Sequence, residues 1–205
     1  MRVSVILAHP DPRSFNHAIA RRAIEVLKEN GHDVTFHDLY AERFDPVLTA
    51  GELSREAALP AEIEAHCREM AAAEGFVIVH PNWWGQPPAI LKGWIDRVLR
   101  PEVAYRFLEG DAGEGVPVGL LKARAALVFN TSNTPAERES HVFGDPLETL
   151  WKNCVFGLCG VAAVERRMFR VVVTSTPDER QGWLAEVEEM VGRLFPADVA
   201  RPSRP

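Results

Sequence analysis

Short, continuous apolar runs alternate along the chain with stretches whose apolar residues recur at helical spacing. Residues 3–8 are apolar at every position but Ser4, as in a strand covered on both faces. A helical repeat follows over 16–30, carried by Ile19, Ala23, Val26 and Leu27, with Gly31 as its stop. Residues 34–39 make a more polar strand, which places it nearer a sheet edge. The pattern predicts a helix over 62–74 and then, opened by Gly75, the very apolar strand 76–79. Ile90, Leu91, Trp94, Ile95 and Val98 set the period of a helix over 89–99. Residues 125–129 read as a fourth strand and 147–158 as a helix, with the fifth strand in or beside 168–174. A last helix over 179–195 turns Trp183, Val187, Met190, Val191 and Leu194 inward. One domain over 1–196 is expected, with 197–205 as a flexible, proline-containing tail.

Strands alternating with helices imply right-handed crossovers and a parallel sheet. The expected fold is therefore α/β and flavodoxin-like, a doubly wound five-stranded sheet of order 2-1-3-4-5 with helices on both faces. Such sheets bind ligands beyond the carboxyl ends of their strands, at the switch point between strands one and three. That rule selects the loops after Ala8, Val79 and Phe129.

Bulk properties narrow the classes further. The 205 residues are 46% hydrophobic and 25% charged, the composition of an ordinary single core. A net charge of -6 argues against nucleic acid as a partner and gives no attraction to an anionic membrane. The three cysteines, Cys67, Cys154 and Cys159, form neither a disulfide framework nor a zinc motif, so a cytoplasmic, reducing setting is expected. Cys154 and Cys159 adjoin an apolar run and read as buried small hydrophobes. The apolar stretch at 3–8 is too short for a signal sequence, and no run suits membrane insertion.

The first loop reads His9-Pro10-Asp11-Pro12-Arg13-Ser14-Phe15-Asn16 and lacks both the dinucleotide and the P-loop glycine patterns. Ser14, Asn16 and the free N–H groups of a helix start still suit an anion, and Arg13 adds charge. Ser14 or Asn16 serves equally well as a plain helix cap, and His9 as a plain hydrogen-bonding group at a strand end. The loop after strand three, His80 to Pro88, holds Trp83, Trp84, Gly85 and three prolines. A stiff, flat-sided turn of this kind suits a planar heteroaromatic ring, although tryptophans also pack simply onto a following helix.

Ala8-His9-Pro10, Ser14-Phe15-Asn16, Asp38-Leu39-Tyr40, Pro81-x-x-Trp84, the run from Pro88 to Val98 and Ala104-Tyr105 together resemble the NAD(P)H quinone reductase family. The likeness covers 3–107 well, is most specific at 88–98 and is looser beyond about residue 130. It implies that His9, Ser14, Phe15 and Asn16, with Arg13 beside them, line the phosphate and ribityl side of a flavin. Pro81, Asn82, Trp83 and Trp84 would border its ring, and Tyr105 the mouth of the substrate pocket. Tyr105 and Trp84 are thus the candidate catalytic residues. Where the best-known members carry Thr-Thr-Gly-Gly, this chain has Asn130, Thr131, Ser132 and Asn133, whose backbone donors suit the flavin's pyrimidine edge. The tyrosine and histidine that relay charge in those enzymes are missing, with Phe143 at the histidine's place. The long C-terminal extension is also absent, which favours FMN over FAD. Lys92, Asp96 and Arg97 read as helix or interface salt links.

The implied activity is flavin-dependent NAD(P)H oxidation, reducing quinones or similar small acceptors by two-electron, ping-pong hydride transfer in a homodimer. Two alternatives share the fold: a flavodoxin-like electron carrier and a flavin-binding regulatory subunit of a transporter. A hydrolase is disfavoured, because no G-x-S-x-G elbow is present and Ser14 has no evident base partner in the sequence.

Overall fold

The apolar runs pair side by side, and their order follows the pattern of helical crossovers. The computed structural model describes residues 1–108, 110, 111 and 114–197. The chain runs through β1 (Arg2–Leu7), α1 (Phe15–Glu29), β2 (Asp33–Asp38), α2 (Ala61–Ala72), β3 (Gly75–Pro81) and α3 (Ala89–Val98). A two-stranded ribbon, β4 (Tyr105–Arg106) with β5 (Val118–Gly119), precedes β6 (Ala125–Thr131). A short helix α4 (Pro146–Thr149), β7 (Ala163–Phe169) and α5 (Pro177–Leu194) complete it. The main sheet has the order β2-β1-β3-β6-β7 and is parallel throughout, which is the expected five-strand arrangement.

Residues of β1, β3 and β6 alternate between two apolar layers. Ile6, Phe76, Ile78 and Val128 pack with Leu91, Trp94 and Trp151 on one face. Val5, Leu7, Val77, Val79, Leu127 and Phe129 meet Ile19, Ala23, Leu27, Val187 and Val191 of α1 and α5 on the other. Each large side chain so buried stabilises the fold by roughly 1.5–3 kcal/mol.

Three expectations are narrowed or corrected. The fifth strand lies at Ala163–Phe169, so only Met168 and Phe169 of the stretch 168–174 are in it; the rest lies beside it, with Val172–Thr174 in a 3-10 turn. Its sequence carries Glu165, Arg166 and Arg167, which an edge strand tolerates and an apolar-run criterion overlooks. The helix expected at 147–158 is α-helical only over α4 and continues as a π-helix over Leu150–Gly157. On that segment Trp151, Val155 and Phe156 face the sheet, whereas Cys154 points outward and is exposed; Cys67 and Cys159 are buried, and all three are free thiols. No helix among the described residues is long and apolar enough to cross a membrane.

The salt links of α3 divide by depth. Lys92 and Asp96 form an exposed pair one turn apart. Arg97, expected as a helix or interface salt link, is buried: its Nε and Nη2 each donate to Glu52 at 2.9 Å, and its Nη1 donates to the carbonyl of Asp45. Arg97→Leu leaves the buried Glu52 carboxylate without its cation. We expect about 3–5 kcal/mol of lost stability in urea unfolding. A loss below about 1 kcal/mol would show that Glu52 regains solvent at little cost.

Candidate active site at the switch point

Parallel register brings the three selected loops to one height. Leu7 pairs with Val79 and Val79 with Phe129, so the chain leaves β1, β3 and β6 along a common edge. The Asn82 N–H donates to the Thr131 carbonyl at 2.7 Å, and the Ser132 N–H to that of Phe169 at 3.0 Å. A cleft of about 360 Å³ opens there, lined by His9, Ser14, Phe15, Asn16, Pro81, Asn82, Trp83, Thr131, Ser132 and Asn133, together with Thr134, Val172 and Val173. Ten of the fourteen candidate residues meet in this space. Arg13, Trp84, Tyr105 and Asn130 stand elsewhere.

One end of the cleft is the start of α1. Ser14 caps the helix, its hydroxyl accepting from the His17 N–H at 3.4 Å. The N–H groups of Phe15 and Asn16, in the first turn, have no intrahelical acceptor. Asn16 is buried; its Nδ2 donates to Thr131 Oγ1 at 2.9 Å, and its Oδ1 has no partner. Ser14 does have a base partner after all: its Oγ lies 2.9 Å from His17 Nδ1, and His17 Nε2 lies 3.0 Å from Asp38 Oδ2. The ring nitrogens are used in the reverse sense to a Ser-His-Asp hydrolase, where the serine meets Nε2. His9 Nδ1 accepts from the Asp11 N–H at 3.1 Å, and burial lowers its pKa. Arg13 is paired with Asp11 and is 88% exposed, outside the cleft.

The loop after β3 is a two-residue hairpin turn. Trp83 and Gln86 exchange both backbone hydrogen bonds at 3.0 Å, with Trp84 and Gly85 between them at φ of 58° and 73°. A bulky side chain in the left-handed region is strained, and the Asn82 side chain braces the turn by accepting from the Gly85 N–H at 3.0 Å. Trp83 faces the cleft, its ring 6.3 Å from that of His9. Trp84 is fully exposed. It borders a second cavity of about 520 Å³ with Gly85, Glu139, Phe143 and Pro146, which adjoins the cleft through Asn82 and Thr134. Tyr105 lies in a third cavity, of about 530 Å³, with Phe107, Cys154 and Leu158, and that cavity shares no residue with the cleft.

Beneath the loops sits a buried hub that the sequence reading missed. His80 donates from Nδ1 to the Pro81 carbonyl at 2.8 Å, and its Nε2 accepts from Asn130 Nδ2 at 2.8 Å and Trp151 Nε1 at 2.9 Å. Asn130 Oδ1 in turn accepts from Arg166, which is paired with Asp145 and Glu148. Asn130 therefore spends its side chain inside the protein and not on a ligand. A histidine and an asparagine at paired positions of two apolar strands were the available signal.

Burial pushes the pKa of His80, and separately that of His66, down to about 4. Both are neutral in the fold at pH 7 and charge in the unfolded chain below about 6.5. Below that point the unfolded state binds more protons, so stability falls by about 1.4 kcal/mol per pH unit for each ring until about pH 4. His37 works in the opposite sense: burial disfavours its charge, but Glu69 and Glu42, at 2.8 and 2.9 Å, outweigh that and raise its pKa. With the His9 pKa also lowered by burial, three rings against one leave a net loss, expected as a steady drop in unfolding free energy between about pH 6.5 and 5. A flat profile over that span would contradict the neutral hub.

A family described by its flavodoxin-like fold matches residues 1–191. An uncharacterized NAD(P)H oxidoreductase of Haemophilus influenzae is 36% identical over 169 residues, 80% of this chain and 81% of its own. NAD(P)H dehydrogenase (quinone) 1 of Rattus norvegicus is 28% identical over 213 residues, covering 91% of this chain and 76% of its own. Among solved structures, the Smu.1420 protein of Streptococcus mutans superposes with a TM-score of 0.81 at 29% identity, over 94% of this chain and 100% of that one. By the span of these matches and the topology that underlies them, the chain belongs to the flavodoxin-like fold family and is an oxidoreductase.

Proposed function

We propose that the switch-point cleft holds a flavin, FMN by preference, and that the protein oxidises NAD(P)H and reduces a quinone or similar small acceptor. The observation that carries this reading is the polar end of the cleft. A buried Asn16 oxygen without a partner, two N–H groups at a helix start and the Trp83 indole line the same cleft. That set fits the phosphate and hydroxyls of a ribityl phosphate at one end and a flat ring at the other.

When bound, a flavin supplies two-electron hydride chemistry, taken from nicotinamide and given to the acceptor in alternation. The chain's own part is to bind and orient. Ser14, Phe15 and Asn16 hold the phosphate and ribityl side, with His9 closing the same end. Pro81, Asn82 and Trp83 would wall the ring; in the 131–133 loop, where the Ser132 N–H is already given to Phe169, the Asn133 N–H and the Thr131 and Ser132 hydroxyls would offer donors to its pyrimidine edge. Asn130 contributes as a positioning residue, because His80 and Arg166 fix it and thereby the loop that follows. The cavity beside Trp84 and Phe143 is where nicotinamide and acceptor would take turns, against a lining that is mainly apolar. Arg13 adds positive charge to the approach and no direct contact. Tyr105 reaches such a site only from a second subunit, which accords with the homodimer that the resemblance implies. A likeness covering 91% of this chain and 76% of the rat quinone dehydrogenase supports the choice of substrates.

Two measurements test the proposal. The purified protein is expected to be yellow or to take up FMN, to bleach anaerobically with NADPH and to recover its colour with menadione. Colourless protein that takes up neither FMN nor FAD would overturn the function and leave the fold standing. Asn16→Ala removes one acceptor and is expected to weaken FMN binding by roughly three- to tenfold, read by quenching of flavin fluorescence. Unchanged affinity in that variant places the ribityl chain elsewhere.

A further inference from the structure

The cap of α1 contains a hydrogen-bond chain whose direction depends on one proton. Asp38 Oδ1 accepts from the N–H groups of Tyr40 and Ala41 at 3.2 and 3.1 Å, so the carboxylate is held with Oδ2 against the His17 ring. His17 Nε2 therefore carries a proton and donates to Asp38. The state of Nδ1 then decides what Ser14 presents to the cleft. In the neutral ring Nδ1 is an acceptor, the Ser14 hydroxyl must donate to it, and a lone pair faces the ligand. In the imidazolium Nδ1–H donates to Ser14 Oγ, and the hydroxyl proton is free to point at an anion.

An anion at the start of α1 is repelled in the first arrangement and held in the second. We propose that a phosphate-bearing ligand binds here with uptake of one proton from solvent at His17, relayed through Ser14 and balanced by Asp38. No covalent bond to the ligand forms or breaks. His17 and Asp38 are thus positioning residues for the phosphate, which sequence motifs did not single out. The inference rests on the reading of the cleft as a site for a flavin phosphate.

The other charged groups near the ring do not substitute for this pair. From the β1–α1 loop, His9 meets the ring edge-on at 6.3 Å, and burial lowers its pKa. Asp11 is bonded to Arg13 at the surface, and Arg13 points to solvent. From β2, Asp38 alone touches the ring.

The test is calorimetric binding of FMN and of riboflavin to the full chain, in paired buffers of different ionisation enthalpy, at several pH values between about 6.5 and 8.5. Riboflavin shares the ring and ribityl chain but has no phosphate. Free FMN phosphate is already mostly dianionic over this range, since its second pKa is about 6. We expect FMN binding to take up as much as one proton, and its affinity to fall by up to about tenfold per pH unit where uptake is complete. Riboflavin is expected to show neither effect. His17→Asn should still bind FMN, with the uptake abolished, and Ser14→Ala should lose most of it. FMN binding without proton uptake at any pH, or uptake undiminished in His17→Asn, would sink this inference and leave the flavin reading intact. If neither flavin binds, both fall together.

Discussion

Parallel pairing of β1 with β3 and of β3 with β6 is the constraint on which the cleft depends. Because both faces of these strands are covered by helices, their loops have one exit, the carboxyl edge, and the register sets all three loops at one level. The first turn of α1 arrives at the same place with its N–H groups still free. A helix start with free donors and a loop wall facing the same space thus follow from topology before any side chain is chosen. The side chains then refine the space: Asn16 crosses to Thr131, and Trp83 closes over His9.

Rigidity comes from below. His80 has one lone pair for two donors and one proton for a carbonyl, and it stays uncharged because it is wholly buried. It ties β3 to β6 and to the π-helical segment carrying Trp151 at the base of the loops after β3 and β6. Arg166 extends the same network to Asp145 beside the cavity of Phe143 and Pro146. A neutral hub next to a cleft for a redox group has a further consequence. At the wall formed by Trp83 and the 131–133 loop the field is then set by backbone donors, which do not titrate near pH 7, and the one proton proposed to move sits at the far end, on His17.

Sheet order, and the meeting of the three selected loops at one cleft, were legible because both are carried by patterns of many residues. The apolar runs at 3–8, 76–79 and 125–129 fixed three strands, and the switch-point rule did the rest. What escaped were features set by single residues in three dimensions. β7 was placed late because Glu165, Arg166 and Arg167 break its apolar run. Cys154 reads as core in one dimension and lies on the outer side of its helix in three. Asn130 has the chemistry of a ligand contact, yet the register places it opposite His80, which takes its amide. Tyr105 stands in a different cavity from Trp83 in the same chain, something no spacing along the sequence reveals. His17 and Asp38, 21 residues apart, become partners only once β2 lies beside β1.

The most direct test of the central claim is a crystal structure of the protein grown with FMN. The account places the phosphate within hydrogen-bonding distance of the Phe15 and Asn16 amides and the Ser14 hydroxyl, with the ring between Trp83 and the 131–133 loop. Flavin density in the cavity of Tyr105 instead, or a phosphate away from the start of α1, would contradict it.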